Sequence, residues 1–250
     1  MWLNRILLIV VLAVLSISIY IGYKQIISIK TVQKESSIEN VRTNQFLMST
    51  ISWSTQRQKT ILFMRDKILD EWARTGLKQD YDRAYQKAEM IMRECERYPS
   101  LKPFLLLAVQ CRESSFCDST TDSSGNKRRM TSSMGALGSW QFVQSTARLL
   151  CDALGISYSD KVYTDISVST RMAAKYFDIL WATYNNDTMS VADYNGGPYQ
   201  AEYYMHNRAK LSEETKAFVS DVMRLYQRYG NEYLTYKVEK TIALVAGASR

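Results

Sequence analysis

The stretch FLLLAVQCRESSF, Phe104–Phe116, determines the fold class. Pro103 in the first turn and Ser100 as N-cap predict the start of a helix there. Val109 and Glu113 are four residues apart, so the carboxylate continues an apolar helical face. Burial of this face removes solvent from Glu113 and raises its pKa, as a general acid near neutral pH requires. The alternative is a solvated glutamate at a helix end, paired with the arginine before it.

The composition predicts a mostly α-helical protein. The 250 residues are 46% hydrophobic and 23% charged, with only 10 glycines and 3 prolines. So few turn formers favour helices joined by modest loops over a turn-rich β architecture. The spacing of apolar residues predicts further helices over about residues 61–73, 81–95, 144–154, 168–184 and 213–229.

The N-terminus carries an apolar run, Ile6–Tyr23, of eighteen residues without a charge. A helix of this length reaches about 27 Å, enough to span a bilayer. We expect residues 1–23 to form an N-terminal transmembrane anchor, with a cleaved signal peptide as the alternative. Residues 24–60 are polar and predict a stalk that is partly helical, and residues 61–250 predict a helical domain.

The charges beside the apolar run give a weak signal for orientation. Lys24, Lys30 and Lys34 follow the run, whereas only Arg5 and the N-terminal amine precede it. Taken literally, the positive-inside rule would leave the body of the protein in the cytoplasm. Short N-terminal tails follow this rule loosely, so the orientation has to be inferred from the chemistry of the rest of the protein.

The net charge of +7 is compatible with nucleic acid, an anionic membrane or an acidic polymer as partner. No phosphate-binding loop, zinc-finger spacing or RNA-binding signature occurs, so we do not expect nucleic acid to bind. The four cysteines form no CxxC pair, and with one histidine they predict neither a metal site nor a cofactor. Disulfides and four buried thiols both remain open.

Two motifs downstream of Glu113 indicate a ligand groove. SSMGALGSWQF, Ser132–Phe142, places small residues before Trp140 and Gln141, so a ligand can approach the backbone beside an aromatic ring and an amide. ADYNGGP, Ala192–Pro198, predicts a second tight turn, which carries a tyrosine and an asparagine. Each motif alone is weak evidence.

In this order and spacing the motifs resemble the soluble-type lytic transglycosylases, whose catalytic domain is related in fold to goose-type lysozyme. The resemblance covers about residues 100–229 and implies a lysozyme-like helical domain. The matching residues are Glu113 and Ser114; Ser132, Gly135, Ala136, Gly138 and Gln141; Thr146 and Ala147; Tyr194, Asn195, Gly197 and Pro198; and Glu214 and Thr215. The chain departs from the family pattern at Ser139, Trp140, Gln144, Asp193 and Phe218.

The resemblance implies cleavage of the bond between N-acetylmuramic acid and N-acetylglucosamine in peptidoglycan. Glu113 would protonate the bridging oxygen and then, as a carboxylate, accept a proton from the muramic C6 hydroxyl, which closes a 1,6-anhydro ring. The substrate's N-acetyl group would replace a second carboxylate. Gln141 and Tyr194 would hold the substituents around the scissile bond, and Trp140 would offer a stacking face. The other implied binding residues are Ser132, Gly138 and Asn195.

Two alternatives to this activity stay open. A muramidase-type hydrolase would need a second carboxylate, for which Asp118, Asp122 and Asp193 are candidates, although residues 117–130 predict a solvated loop. A non-catalytic glycan-binding scaffold of an envelope complex would keep the groove without turnover. Because peptidoglycan lies outside the cytoplasmic membrane, we expect an extracytoplasmic, periplasmic domain on a single-pass anchor, against the charge bias. Partners in an envelope complex are a further expectation.

Overall fold

The computed structural model describes residues 2–121, 127–129, 131–132 and 135–247. The chain divides into two units, Met1–Gln56 and Arg57–Arg250, and the described residues of the first, 2–56, belong to α1. The described α-helices and β-strands are α1 (Trp2–Thr75), α2 (Tyr81–Arg97), α3 (Pro103–Ser114), β1 (Ser119–Thr121), β2 (Lys127–Arg129), α4 (Gln144–Leu154), α5 (Ile166–Tyr184), α6 (Asp187–Gly196), α7 (Pro198–His206) and α8 (Glu213–Gly247). The prediction of a mostly helical protein is confirmed.

The N-terminal apolar run lies outside the residues whose side chains are described. In α1 the structure describes side chains at Lys24 and from Glu39 onward. Among the described residues, no helix is long and apolar enough to cross a membrane. The predicted anchor over residues 6–23 therefore remains a prediction, and so do the domain boundaries.

Helix α3 is the centre of the second unit. Its residues 105–109 are all buried, because an apolar sequence on every side of a helix requires neighbours all round. Helices α8 and α2 pack against it, and α5 packs against α2, α4 and α6. From α1, the buried side chains of Ile61, Met64, Ile68 and Trp72 complete this core, as their spacing predicted.

The start of α3 differs from the prediction. Ser100 is not the N-cap, because the helix begins at Pro103 and the residue before it, Lys102, has extended backbone angles of φ −114° and ψ 118°. Proline disfavours helical angles in the residue that precedes it, which explains this boundary. Strands β1 and β2 follow α3 as a short antiparallel pair, with Thr120 opposite Arg128.

Candidate active site

The acid predicted from the sequence lies at the end of α3. Glu113 is the next-to-last residue of that helix, and Ser115 ends it with left-handed backbone angles of φ 49° and ψ 38°. The Ser115 amide donates a 2.8 Å hydrogen bond to the Cys111 carbonyl. Phe116 also has a positive φ, 63°, and its side chain is fully buried. The chain therefore turns sharply just after Glu113 and anchors the turn in the core.

The environment of Glu113 favours its protonated form. The residue is half-buried, and burial raises the pKa of its carboxyl to about 8 against the attraction of Arg112, while the negative charge of Glu214 adds to the rise. A helix C-terminus carries partial negative charge and acts in the same direction. At neutral pH most molecules therefore hold a proton on Glu113, as a general acid must.

The described residues of the small-residue loop, 132 and 135–142, are tied together by their own hydrogen bonds. The Ser132 hydroxyl accepts a 3.0 Å bond from the Ala136 amide, and the Ser132 amide donates to the Ala136 carbonyl at 2.9 Å. Gln141 has a positive φ of 49°, and its side-chain amide donates to the Gly138 carbonyl at 2.6 Å. Residues 138–141 thus form a tight turn, in which Gln141 is half-buried.

Two buried side chains of α3 hold this loop. The Ser114 hydroxyl donates a 2.8 Å hydrogen bond to the Ser139 carbonyl, and the Gln110 amide donates to the Ser139 hydroxyl at 3.2 Å. Ser139 is one of the positions at which the chain departs from the family pattern. Here its hydroxyl and carbonyl both serve to join the loop to the helix of Glu113.

Tyr194 completes the site from α6. Its hydroxyl donates a 2.7 Å hydrogen bond to the Trp140 carbonyl, and its ring stacks on Phe177 with centroids 4.8 Å apart. Burial raises the pKa of Tyr194 well above its usual value, and the charge of Glu113 contributes to this rise. Tyr194 is thus a fixed, neutral phenol near Glu113, and α3, the loop and α6 meet around the carboxyl.

Two of the predicted binding residues serve the core instead. Trp140 is 1% exposed and packs in the hydrophobic core, so the prediction of a stacking face for a sugar is wrong. Gly138, with φ 76°, faces the backbone of Tyr163, where an added Cβ would lie 2.3 Å from the carbonyl oxygen. The backbone of Tyr163 is therefore the neighbour that requires a glycine at position 138.

The second predicted turn is mostly helical. Tyr194 and Asn195 lie in the last turn of α6, and Asn195 is half-buried. Gly196 ends the helix so close to the start of α8 that an added Cβ would lie 2.7 Å from the Thr215 hydroxyl. The motif therefore packs the end of α6 against the start of α8. The turn that follows α6 is at Gly197.

The candidate second carboxylates are engaged elsewhere or lie outside the described residues. Asp118 is 6% exposed and accepts hydrogen bonds from Lys87 and Arg83, so the prediction of a solvated aspartate is wrong. Asp193 is equally buried and accepts bonds from Tyr184 and Tyr176 at 2.5 and 3.4 Å. Asp122 is not described. Neither buried aspartate is available to activate water.

The cysteines are thiols. All four lie in the described part of the chain and form no disulfide, and Cys95, Cys111 and Cys151 are buried. Of the two alternatives left open by the sequence, disulfides are therefore not present, including one between the neighbouring Cys111 and Cys117. Burial raises the pKa of the Cys111 thiol to about 11, which leaves it unreactive at neutral pH. Within the described ranges, no group of histidine, cysteine and carboxylate side chains has the arrangement of a metal site.

Two carboxylates near the acid were not predicted from the sequence. Glu214 matches the family pattern without an expected role, whereas its charge acts on Glu113. Glu71 of α1 accepts a hydrogen bond from Ser115, two residues after Glu113. A charged cavity of about 640 Å³ adjoins this contact, and its lining includes Glu71, Arg112 and Ser115. Glu71 and Glu214 are far from Glu113 in the sequence, so no local pattern predicts these contacts.

Comparison with protein families matches residues 90–217 to the transglycosylase SLT domain. The matched segment is just over half of the chain and contains Glu113, the loop and Tyr194. The chain therefore belongs to the transglycosylase SLT domain family, and the predicted relationship to the lytic transglycosylases is confirmed. Comparison with curated protein sequences finds no match.

Solved structures of lytic transglycosylases are similar to part of the chain. An inactive mutant of the lytic transglycosylase Slt from Pseudomonas aeruginosa is 21% identical, with a TM-score of 0.49, over 57% of this chain and 24% of that one. The 70 kDa soluble lytic transglycosylase from Escherichia coli is 18% identical, with a TM-score of 0.46, over 69% of this chain and 30% of that one. The chain thus spans less than a third of the length of these proteins.

Proposed function

We propose that the protein is a peptidoglycan lytic transglycosylase in which Glu113 acts as acid and then as base. The observation that carries the proposal is the half-buried Glu113 carboxyl at the end of α3, inside the family domain, with a pKa raised to about 8. Such a group is protonated before the reaction, yet it can accept a proton after giving one away.

In the first step, Glu113 donates its proton to the oxygen between C1 of N-acetylmuramic acid and C4 of N-acetylglucosamine, and the C1–O bond breaks. The positive charge at C1 is stabilised by the substrate's own acetamido oxygen. In the second step, the muramic C6 oxygen bonds to C1 and gives its proton to the Glu113 carboxylate. No water is consumed, and the enzyme regains its initial protonation state.

The neighbours of Glu113 have distinct roles in this proposal. Tyr194 and Gln141 bind the acetamido and hydroxyl groups around the scissile bond, from positions fixed by hydrogen bonds to Trp140 and Gly138. Ser132 shapes the loop, and Asn195 follows Tyr194 in the last turn of α6.

The test is digestion of purified peptidoglycan, followed by mass spectrometry of the soluble products. Wild-type protein is expected to release muropeptides with anhydro ends, which are lighter by one water than reducing ends. Glu113→Gln is expected to abolish release, because it removes the proton that the leaving oxygen needs, while circular dichroism and glycan binding stay unchanged. Release by Glu113→Gln at the wild-type rate would contradict the proposal.

The hydrolase alternative is tested on Glu214, the described carboxylate whose charge acts on Glu113. A hydrolase that used Glu214 as base would yield reducing ends and would lose activity in Glu214→Gln. The transglycosylase yields anhydro ends in this variant as well, and its rate changes only through the modest loss of one nearby charge. If the protein is a non-catalytic scaffold, the wild-type protein itself would release no product.

We also propose that the domain acts outside the cytoplasmic membrane, anchored by residues 6–23. Support comes from the apolar length of that segment and from the location of the substrate polymer. A fusion reporter that is active only outside the cytoplasm, placed after Tyr23, is expected to give signal. Signal from a cytoplasmic reporter alone would refute both the location and the access to peptidoglycan.

A further inference from the structure

The turn after Glu113 has a backbone that ordinary residues disfavour. Ser115 and Phe116 have consecutive positive φ angles of 49° and 63°, in the left-handed region that a Cβ makes unfavourable. Such a turn persists when surrounding contacts hold it. Phe116 is held by complete burial, and Ser115 is held by its hydrogen bonds.

The side-chain contact of Ser115 comes from α1. The Ser115 hydroxyl donates a 2.8 Å hydrogen bond to Oε1 of Glu71, whose side chain is only 11% exposed. Arg74 donates two further bonds to the same carboxylate, at 2.6 and 2.8 Å. Burial works against the charge, but these hydrogen bonds outweigh it and lower the pKa of Glu71. Glu71 is therefore a fixed, ionised acceptor.

Glu71 lies outside the segment that defines the family. The family match begins at residue 90, and the motifs of the sequence begin at Ser100, whereas Glu71 belongs to the helix before both. Its contact with Ser115 brings α1 to the last turn of the helix that carries the acid.

We propose that Glu71 is a positioning residue for Glu113, which it acts on by holding Ser115 in the left-handed conformation that ends α3. This inference rests on the proposed role of Glu113 as the acid. Without the Glu71 acceptor, Ser115 relaxes, the last turn of α3 frays, and water reaches the Glu113 carboxyl. Solvation favours the charged carboxylate, so the pKa of Glu113 falls toward its ordinary value of 4.5.

The effect runs through the turn and not through the charge of Glu71. The charges that act on Glu113 are those of Arg112 and Glu214, and the phenol of Tyr194 faces it from α6. Arg112 is paired with Asp221 of α8 at 3.0 Å. The cations that act on Glu71 are Arg74 and Arg228. A variant that removes the charge but keeps the acceptor should therefore leave Glu113 unchanged.

The experiment is a titration of Glu113 by NMR in the full chain, with glutamate labelled with carbon-13 at the carboxyl carbon and the Glu113 signal assigned by its absence in Glu113→Gln. Glu71→Ala is expected to lower the midpoint by at least about one pH unit, which is a tenfold smaller acid-to-carboxylate ratio at any given pH. Ser115→Ala, which removes the donor instead, is expected to give the same shift. The acid form that drives catalysis is then lost at a correspondingly lower pH in the activity profile.

Three matched variants isolate the turn. Glu71→Gln keeps an acceptor oxygen and should titrate like wild type. Glu71→Ala/Ser115→Gly should recover the wild-type midpoint, because glycine adopts positive φ without support. Asp70→Ala removes the neighbouring, exposed carboxylate of α1 and should have no effect.

An unchanged midpoint in Glu71→Ala and in Ser115→Ala would overturn the inference, and so would a shift that Ser115→Gly does not reverse. If Glu71→Ala does not fold, Ser115→Ala alone decides. Because the midpoint is read without substrate, this result is separate from the proposed function. Wild type that releases no muropeptides refutes the function, whereas active wild type with an unshifted Glu71→Ala midpoint refutes only the role of Glu71.

Discussion

The Ser114 hydroxyl donates a 2.8 Å hydrogen bond to the Ser139 carbonyl, and both residues are almost completely buried. This contact joins the residue after the acid to the middle of the loop that carries Gln141. Because a buried polar group needs a partner, the bond fixes the separation of α3 and the loop. The separation of α3 and the loop therefore depends on a serine that the proposed mechanism does not use.

Ser114→Ala is expected to lower the free energy of unfolding by about 1–3 kcal/mol, because the buried Ser139 carbonyl loses its donor. The loss is measured by urea denaturation. Ser54→Ala is the control: its hydroxyl also bonds to a backbone carbonyl, at 3.0 Å, but in solvent. That change should stay within about 0.5 kcal/mol. Equal losses in the two variants would show that burial of the Ser114 bond contributes nothing.

The raised pKa of Glu113 predicts a specific dependence of stability on pH. Folded Glu113 keeps its proton up to about pH 8, whereas the unfolded chain releases it near 4.5. Between these values the unfolded state binds fewer protons, so the free energy of unfolding falls as pH rises, by at most about 1.4 kcal/mol per pH unit. Above about pH 8 this contribution is constant.

Denaturation curves across this range, for wild type and Glu113→Gln, measure the effect. Glutamine does not titrate, so the variant should gain stability relative to wild type as pH rises, and the difference should level off above about pH 8. A difference that is independent of pH would mean that Glu113 is solvated and has an ordinary pKa.

Local sequence was enough to predict helix α3 and the partial burial of Glu113, but not helix α6, which carries Tyr194 where a tight turn was predicted. The apolar run before Glu113 predicted the helix. The four-residue spacing of Val109 and Glu113 indicated the partial burial that raises the pKa of Glu113. Both features depend on residues within the same helix, so the local sequence is enough to predict them.

Contacts between distant segments could not be predicted in this way. Trp140 looks like a stacking residue next to Gln141, but its ring turns into the core, and only the packing of several helices decides this. Glu71 and Ser115 are 44 positions apart and carry no motif. Asp118 follows a polar loop pattern, yet it is buried because Lys87 of α2 lies opposite.

Gly138 and Gly155 show two different physical reasons for which a position requires glycine. Both have positive φ, 76° and 64°, but an alanine Cβ at Gly138 would lie 2.3 Å from the Tyr163 carbonyl oxygen, whereas no described atom lies within 4 Å of that position at Gly155. Gly155→Ala should cost about 1–2 kcal/mol for the backbone alone. Gly138→Ala should cost more than about 4 kcal/mol, since the Tyr163 backbone must move. Equal costs in thermal or urea denaturation would contradict the close approach.

The buried group of Lys87, Asp118 and Arg83 fixes the chain where it leaves α3. Lys87 Nζ lies 2.7 Å from one Asp118 oxygen, with side chains 1% and 5% exposed, and Arg83 binds the other oxygen from a more exposed position. Burial opposes the charge of Asp118, but Lys87 and Arg83 outweigh it, so its pKa is lowered. Asp118 therefore stabilises the fold above its ordinary value of 3.8, and this contribution is lost as pH falls below it.

Lys87→Met is expected to cost about 3–5 kcal/mol, because Asp118 keeps its buried charge with only Arg83 as partner. The pKa of Asp118 should rise in this variant, toward or above its unfolded value, so the loss of stability on acidification should be smaller than in wild type. Lys87→Met/Asp118→Leu is the informative companion: with both buried charges gone, the loss should be smaller than in Lys87→Met alone. Denaturation of wild type, Lys87→Met, Asp118→Leu and the double variant at neutral and acidic pH measures these differences. A double variant that loses as much as the two single variants together would show that the lysine and the aspartate do not act as a pair.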